Sequence, residues 1–174
     1  LKFNKKQIVT LAVLFALGGG TAETADLFFP LTAADRAAAQ ALRAEAGVAA
    51  GAPLAVLAPG ASWPGKQWPA ERFAEIGDRL RRETGFAVVL VGSAGEIELC
   101  RSVAARMRES AVSLAGRTSL AQLAALLESA ALFVGNDSGP MHLAACFQIP
   151  SVVCFGPTVA SKWAPRHARA QVLQ

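Results

Sequence analysis

Short apolar runs alternate with longer amphipathic segments between residues 54 and 155. Five runs have the length and composition of buried strands: Leu54–Leu57, Ala87–Val91, Val112–Leu114, Leu132–Val134 and Ser151–Phe155. Continuously apolar strands that alternate with helices are typical of a parallel sheet covered on both faces. The pattern therefore predicts an α/β fold with a doubly wound parallel sheet.

The segments between these runs predict helices, because their apolar side chains recur at a spacing close to 3.6 residues. Ser119 and Gln122 form a candidate capping box, and Thr32 can cap an earlier alanine-rich helix with Asp35 in its first turn. The predicted helices are Thr32–Ala46, Ala70–Thr84, Glu96–Arg108, one that begins after Ser119, and Pro140–Phe147.

The first 25 residues allow two interpretations. Three lysines precede the apolar stretch Ile8–Leu17, and Gly18–Gly20 follows it. A basic start, a short apolar centre and small residues are typical of a secretory signal peptide. The same residues also fit an ordinary helix, Ile8–Gly19, that ends at a glycine C-cap. We favour the helix because the remainder resembles an intracellular enzyme domain.

The charge and the cysteine content narrow the class of protein. The net charge is +4, but six basic residues lie near the two chain ends. The other 11 basic residues are outnumbered by the 13 acidic ones. The chain has no tyrosine and 7% aromatic residues, so a basic or base-stacking nucleic-acid surface is disfavoured. Three cysteines without a CxxC motif and two histidines disfavour both a disulfide scaffold and a zinc site.

Glycine-bearing turns follow each predicted strand. In doubly wound folds, ligands bind beyond the carboxyl ends of the strands, so these turns should form one binding edge. Each turn alone could be only a tight connection, but together they let a ligand approach the backbone closely. The turns are Pro59–Trp68, Gly92–Glu96, Gly116–Ser119, Gly135–His142 and Gly156–Thr158.

The turn Gly135–His142 has the features of an anion-binding helix start. Asp137 or Ser138 can be the N-cap, and Pro140 suits the first helical position. The free amides of Ser138, Gly139, Met141 and His142 together with the helix dipole would attract an anion. The dipole also disfavours protonation of His142, which is expected to be neutral. The alternative is a well-capped helix without a ligand.

The turn after the first strand nearly spells a P-loop, but Gln67 replaces the required hydroxyl and Trp68-Pro69 delays the helix. What remains is Lys66 on a shaped loop at the same edge as the anion-binding turn. A lysine and a helix start suit a leaving diphosphate, and the chain has no Asp-x-Asp pair for a metal. Glu96 could accept hydrogen bonds from ribose hydroxyls or be an ordinary first-turn acid.

Four stretches carry a family resemblance: PGASWPGKQWPAERFAEIGDRL, VVLVGSAGEIEL, LAGRTSLAQLAALLESAALFVGNDSGPMHLAA and PSVVCFGPT. Their order and spacing, from about Leu54 to Trp163, resemble the donor-binding half of family 9 glycosyltransferases. These are the bacterial heptosyltransferases of lipopolysaccharide core assembly. The resemblance implies the Rossmann-like C-terminal half of a GT-B enzyme, an ADP-sugar donor (typically ADP-heptose), inverting transfer and no required metal or cofactor.

The same resemblance assigns roles to matching positions. Ser62 and Lys66 would contact the donor phosphates, and Glu96 would contact the nucleoside. The turn residues Asp137, Ser138 and Gly139 would hold the phosphates and the sugar, with His142 beside them. Lys66 and Asp137 are the candidate catalytic residues, and the general base is expected in an acceptor-binding domain. Ala61 replaces a hydroxyl of some members, which removes one phosphate contact.

The domain organisation also follows from the resemblance. Residues 1–50 would be an interdomain helix and linker, and residues 51–174 the nucleotide-sugar donor domain. The lipopolysaccharide acceptor would bind through a missing domain, so the chain alone would bind nucleotide without efficient catalysis. Alternatives are a non-catalytic nucleotide-binding module and an exported α/β protein with residues 1–25 as its signal.

Location and self-association are expected from the same reasoning. The enzyme would be cytoplasmic and could lie at the inner membrane, since Lys162, Arg166 and Arg169 can attract anionic lipid. A solvated terminal charge cluster is the preferred explanation of these residues. The apolar face of Ile8–Leu17, without the domain that would cover it, predicts a homodimer.

Overall fold

The computed structural model describes residues 27–174. Within them, six parallel strands form one sheet in the order β3-β2-β1-β4-β5-β6. This order and the helices on both faces confirm the predicted doubly wound fold. The strands are β1 (Leu54–Ala58), β2 (Ala87–Leu90), β3 (Val112–Ser113), β4 (Leu132–Asn136), β5 (Ser151–Cys154) and β6 (Ala170–Leu173).

The helices follow the predicted positions closely. Both capping boxes are present, one joining Thr32 to Asp35 and the other joining Ser119 to Gln122. Short 3-10 helices lie at Pro64–Lys66 and Ala94–Glu96. The α-helices are α1 (Ala33–Glu45), α2 (Ala70–Thr84), α3 (Ile97–Arg106), α4 (Leu120–Glu128), α5 (Gly139–Cys146) and α6 (Ala160–Trp163).

Strand β1 shows why the central runs are apolar at every position. All five of its residues are buried. Leu54, Val56 and Ala58 belong to one core cluster with α1, α4 and α5. Ala55 and Leu57 belong to a second cluster with α2 and α3 on the other face. Alternate side chains of a strand point to opposite faces, so a strand between two helix layers needs apolar residues throughout.

Helix α1 is packed into the first of these clusters. Ala39 and Leu42 are buried there, and Arg36 makes a two-pronged ion pair with Glu128 of α4 at 2.7 and 2.8 Å. Arg43 donates to the carbonyl of Ser129, which follows α4. Helix α1, which lies within the predicted interdomain helix and linker at residues 1–50, therefore packs against the same core as α4.

The C-terminal segment departs from the sequence prediction. Five strands were expected, but Ala170–Leu173 forms a sixth, which pairs in parallel with β5. Of the predicted terminal charge cluster, Lys162 thus lies in α6, and Arg169 directly precedes the new strand. The strand was missed because an edge strand of four residues with alternating burial has a weak apolar signal.

The interpretations of residues 1–25, including the helix Ile8–Gly19 and its dimer face, lie outside the described residues. Of the helices in the described part of the chain, none has the length and apolar character needed to cross a membrane. Across residues 27–174, histidine, cysteine, aspartate and glutamate side chains do not gather in groups of three or more.

Candidate functional site

The loops after β1, β4 and β5 meet at the carboxyl edge of the sheet, because these three strands are neighbours at its centre. Strand β4 runs to Asn136, two residues beyond the predicted end, so Gly135 lies within the strand. A Cβ atom on Gly135 would approach the Phe133 ring to 2.5 Å. Glycine at this position therefore allows the strand to pass the ring and deliver Asn136 and Asp137 to the edge.

Lys66 and Asp137 form an ion pair at this edge. The Lys66 Nζ lies 2.7 Å from the Asp137 Oδ2 and 3.4 Å from the Asp137 carbonyl oxygen. The side chains are only 13% and 6% exposed. The hydroxyl of Thr158, in the loop after β5, donates to the same Oδ2 at 2.8 Å. One carboxylate thus joins the three loops, and both of its donors are side chains.

Direct packing also holds these loops together. A Cβ atom on Gly156 would lie 2.7 Å from the Gly65 carbonyl oxygen and 3.4 Å from the Lys66 Cα. The loop after β5 therefore rests on the backbone of the Lys66 turn, and only glycine permits this approach. The predicted convergence of Lys66 with the turn Gly135–His142 is present in the structure, with direct contact between the two.

Asn136 is a polar residue of this site that the sequence analysis missed. Its side chain is fully buried. The Nδ2 donates to the carbonyl oxygens of Pro59 at 2.8 Å and Gly60 at 3.4 Å, and the Oδ1 accepts from the Trp68 amide at 3.1 Å. The one available sequence signal was an amide side chain at the end of an apolar strand.

Ser138 is the N-cap of α5, and Pro140 is the second helical residue rather than the first. The Ser138 hydroxyl does not cap the helix; it donates to the Asn136 carbonyl oxygen at 3.2 Å. The amides of Ser138 and Gly139 have no hydrogen-bond partner among residues 27–174. The Met141 amide, expected to be free, donates to the Ser138 carbonyl oxygen at 3.1 Å. Two open amides therefore remain beside the Lys66–Asp137 pair.

His142 lies at the exposed rim of the site, in the first turn of α5. Desolvation by the surrounding protein lowers the pKa of its imidazole, the Asp137 carboxylate raises it and the Lys66 ammonium lowers it, with a net decrease. The predicted neutral imidazole agrees with this direction. The dominant cause is desolvation, whereas the sequence analysis had invoked the helix dipole.

Glu96 lies beyond β2, where its carboxylate contacts the loop after β1. Its Oε2 accepts from the Ser93 amide at 2.6 Å in a capping box. A Cβ atom on Gly60 would come within 1.9 Å of Oε1, so the carboxylate lies directly against that glycine. Ser62 is exposed on the same loop. The structure thus places Glu96 and Ser62 at one edge with Lys66, although Glu96 also has a local capping role.

Comparisons with known proteins identify relatives of the chain. The chain matches the sequence profile of glycosyltransferase family 9 (heptosyltransferase) over residues 12–174. It is 34% identical over 128 residues to the lipooligosaccharide heptosyltransferase 2 of Haemophilus influenzae, a match that covers 70% of this chain and 36% of the relative. The chain therefore spans about a third of the length of this curated relative.

Two solved structures share the fold. A glycosyl transferase family 9 protein from Veillonella parvula has a TM-score of 0.81 and 30% identity, over 99% of this chain and 49% of its own. An Escherichia coli ADP-heptose lps heptosyltransferase II has a TM-score of 0.75 and 29% identity, over 84% of this chain and 44% of its own. Sequence and structure together show that the chain belongs to glycosyltransferase family 9.

Proposed function

We propose that this chain is the donor-binding part of a heptosyltransferase that transfers heptose, with inversion, from ADP-heptose to the lipopolysaccharide inner core. The observation that carries the proposal is the Lys66 ammonium beside the open amides of Ser138 and Gly139. A cation and unpaired amides at a helix N-terminus bind an anion. Heptose as the transferred sugar is inferred from the Haemophilus influenzae heptosyltransferase, and ADP-heptose as the donor from the Escherichia coli ADP-heptose lps heptosyltransferase II.

Lys66 acts on the leaving diphosphate. Negative charge grows on the ADP β-phosphate as the bond to the sugar breaks, and fixed donors at that position lower the barrier. The Lys66 ammonium and the two amides would supply those donors. Because all three are groups of the protein itself, the residues present can perform this step as they stand.

Asp137 positions the Lys66 ammonium and accepts hydrogen bonds from the donor sugar. Its Oδ2 already receives Lys66 and Thr158, and a carboxylate can accept about four hydrogen bonds. Sugar hydroxyls are suitable donors for the positions that remain. The carboxylate repels phosphate, so its role is to orient the lysine and the sugar rather than to bind the diphosphate.

The remaining predicted residues complete the donor site. Ser62 would donate to a phosphate from its exposed position on the Lys66 loop. The Oε1 of Glu96, which lies against Gly60, would accept from the ribose. His142, neutral near pH 7, would donate or accept a hydrogen bond at the rim.

The acceptor site, the general base and the lipopolysaccharide contact would belong to the part of the relatives' length that this chain does not span. The family match begins at residue 12. This supports treating residues 1–50 as the interdomain helix and linker, followed by the donor domain at 51–174, rather than residues 1–25 as a signal peptide. A cytoplasmic enzyme at the inner membrane is consistent with that assignment.

Titration with ADP by calorimetry tests the phosphate site. Lys66→Ala should weaken ADP binding roughly ten- to a hundred-fold, because it removes a charge-assisted hydrogen bond to phosphate. Lys162→Ala is the matched control, since Lys162 is the other lysine in the described residues and lies over the Trp163 ring at 5.1 Å. Equal ADP affinity of Lys66→Ala and the parent would refute the proposed phosphate role.

A transfer assay separates an enzyme part from a plain nucleotide-binding module. The chain alone should show no heptose transfer to a Kdo–lipid A acceptor. Addition of the acceptor-binding half of a family 9 enzyme should restore turnover. Tight ADP binding with no turnover in any such combination would favour the binding module.

A further inference from the structure

We propose that Asn136 is a positioning residue. It holds the Lys66 loop in the position, relative to the strand ends, that diphosphate binding requires. The inference rests on the proposed function. It goes beyond that proposal because the Asn136 side chain is fully buried and its hydrogen bonds are to the loop backbone, so it would act without touching the donor. Its amide bonds to the residues that begin the loop, Pro59 and Gly60, and to Trp68, which ends it.

The loop has few other fixed points. Its internal hydrogen bonds are those of the 3-10 turn, from the Lys66 amide to Trp63 and from the Gln67 amide to Pro64. These bonds shape the turn but do not attach it to the sheet. The Lys66 ammonium is attached through Asp137, and Glu96 and Gly156 pack against the loop, but the hydrogen bonds from outside the loop to its backbone at both ends come from the Asn136 side chain. The position of Lys66 relative to the strand ends therefore depends on Asn136.

An asparagine is the side chain that this position requires. The site presents two carbonyl oxygens on one side and one amide N–H on the other. A carboxamide offers donors and an acceptor on the same carbon, so it pairs with both. Aspartate would set an oxygen against the Pro59 and Gly60 oxygens, and an aliphatic residue would leave buried polar groups unpaired.

The same residue also connects to the anion-binding turn. Asn136 directly precedes Asp137, the ion-pair partner of Lys66, and its carbonyl oxygen accepts from the Ser138 hydroxyl. The side chain of Asn136 thus holds the cation loop while its backbone holds the start of α5. Loss of the side chain should change the spacing between the Lys66 ammonium and the amides of Ser138 and Gly139.

A double-mutant cycle on ADP affinity tests the inference with Asn136→Ala, Lys66→Ala and the double variant. Asn136→Ala should weaken ADP binding about ten-fold in the parent but less than about two-fold in the Lys66→Ala background, because contacts that act through one group are non-additive. Equal losses in both backgrounds, or no loss in the parent, would overturn the inference. If Lys66→Ala itself has no effect, the proposed function fails instead.

A second measurement does not depend on ligand binding. Hydrogen exchange of the Trp68 amide in the ligand-free protein should be at least about ten-fold faster in Asn136→Ala, since the hydrogen bond that protects it is gone. Unchanged Trp68 protection would overturn the inference even if the proposed function holds. Val89→Ala in β2, which removes buried apolar volume away from these loops, should lower the melting temperature without changing ADP affinity. If Asn136→Ala does not fold, Asn136→Ser takes its place in both measurements.

Discussion

Two buried aspartates at different places in the molecule are held by different kinds of donor. As whole residues, Asp78 in α2 is 9% exposed and Asp137 after β4 is 4% exposed. The Asp78 carboxylate accepts from the backbone amides of Arg108 and Glu109 at 2.8 to 3.1 Å. The Asp137 carboxylate accepts from the side chains of Lys66 and Thr158.

The difference shows what each carboxylate can do. Backbone amides are fixed by the fold, so the bonds of Asp78 hold the turn before β3 and have no alternative partner. The Lys66 side chain can rotate toward a ligand while Asp137 keeps Thr158. Burial and charge alone therefore do not distinguish a structural carboxylate from a functional one. What distinguishes them here is the kind of donor, backbone amides for Asp78 and side chains for Asp137.

Asp78→Ala should have the largest effect on stability. It leaves two partly buried amides without their acceptor, and the loss of two charge-assisted hydrogen bonds costs about 3 kcal/mol of unfolding free energy. Urea denaturation measures this loss. ADP affinity of the folded variant should match that of the parent, because Asp78 does not contact the proposed site. A large loss of ADP affinity in folded Asp78→Ala would remove the distinction between the two carboxylates.

Asp137→Asn should lower the unfolding free energy less than Asp78→Ala does, and it should weaken ligand binding more. The cost should be about 1 to 2 kcal/mol, below the usual cost of breaking a buried ion pair, because Lys66 can reach solvent from the edge. Affinity for ADP-heptose should fall more than affinity for ADP, since only the former presents sugar hydroxyls to the carboxylate. Comparable changes for the two ligands would contradict the proposed contact with the sugar.

Thr158→Val should have a smaller effect than either aspartate substitution. It removes one hydroxyl donor while it keeps the shape, so the expected loss is about 1 kcal/mol of unfolding free energy. Thr158→Ser keeps the hydroxyl and should recover most of that loss. Urea denaturation of the pair provides the comparison, and identical stabilities would show that the bond to Asp137 contributes nothing.

The sequence predicted the fold well where local signals are strong. Helix α2 has the predicted bounds because its amphipathic pattern ends at Gly85, whose φ of 72° is the left-handed conformation that favours glycine. The edge strand β6 was missed because its four residues do not form an apolar run. It is held in the sheet by its pairing with β5. The other edge strand, β3, was predicted, so what local pattern misses is an element without an apolar run rather than an edge element as such.

The candidate site was predicted in outline only. Lys66 and Asp137 were both assigned to one edge by topology, since parallel strands end together. Their ion pair and the buried amide of Asn136 were not predicted, because they join residues about seventy positions apart. Such contacts depend on loop conformation, which periodicity does not report.

The smallest expected effect is the pH dependence of stability through His142. The folded protein lowers the pKa of His142 from its ordinary value of 6.5, chiefly through desolvation. Just below pH 6.5 the unfolded chain therefore binds more protons than the folded protein, and stability falls as the pH is lowered from 7 toward 5. His167 contributes in the same direction, because desolvation and Arg169 also lower its pKa.

His142→Gln should reduce this acid-induced loss without removing it, since His167 still titrates. Urea denaturation at pH 7.5, 6.5 and 5.5 measures the difference between the variant and the parent, and His167→Gln is the matched control. An unchanged pH profile in His142→Gln would mean that folding does not change the pKa of the imidazole. The desolvation that encloses Asp137 would then not extend to the exposed rim where His142 lies.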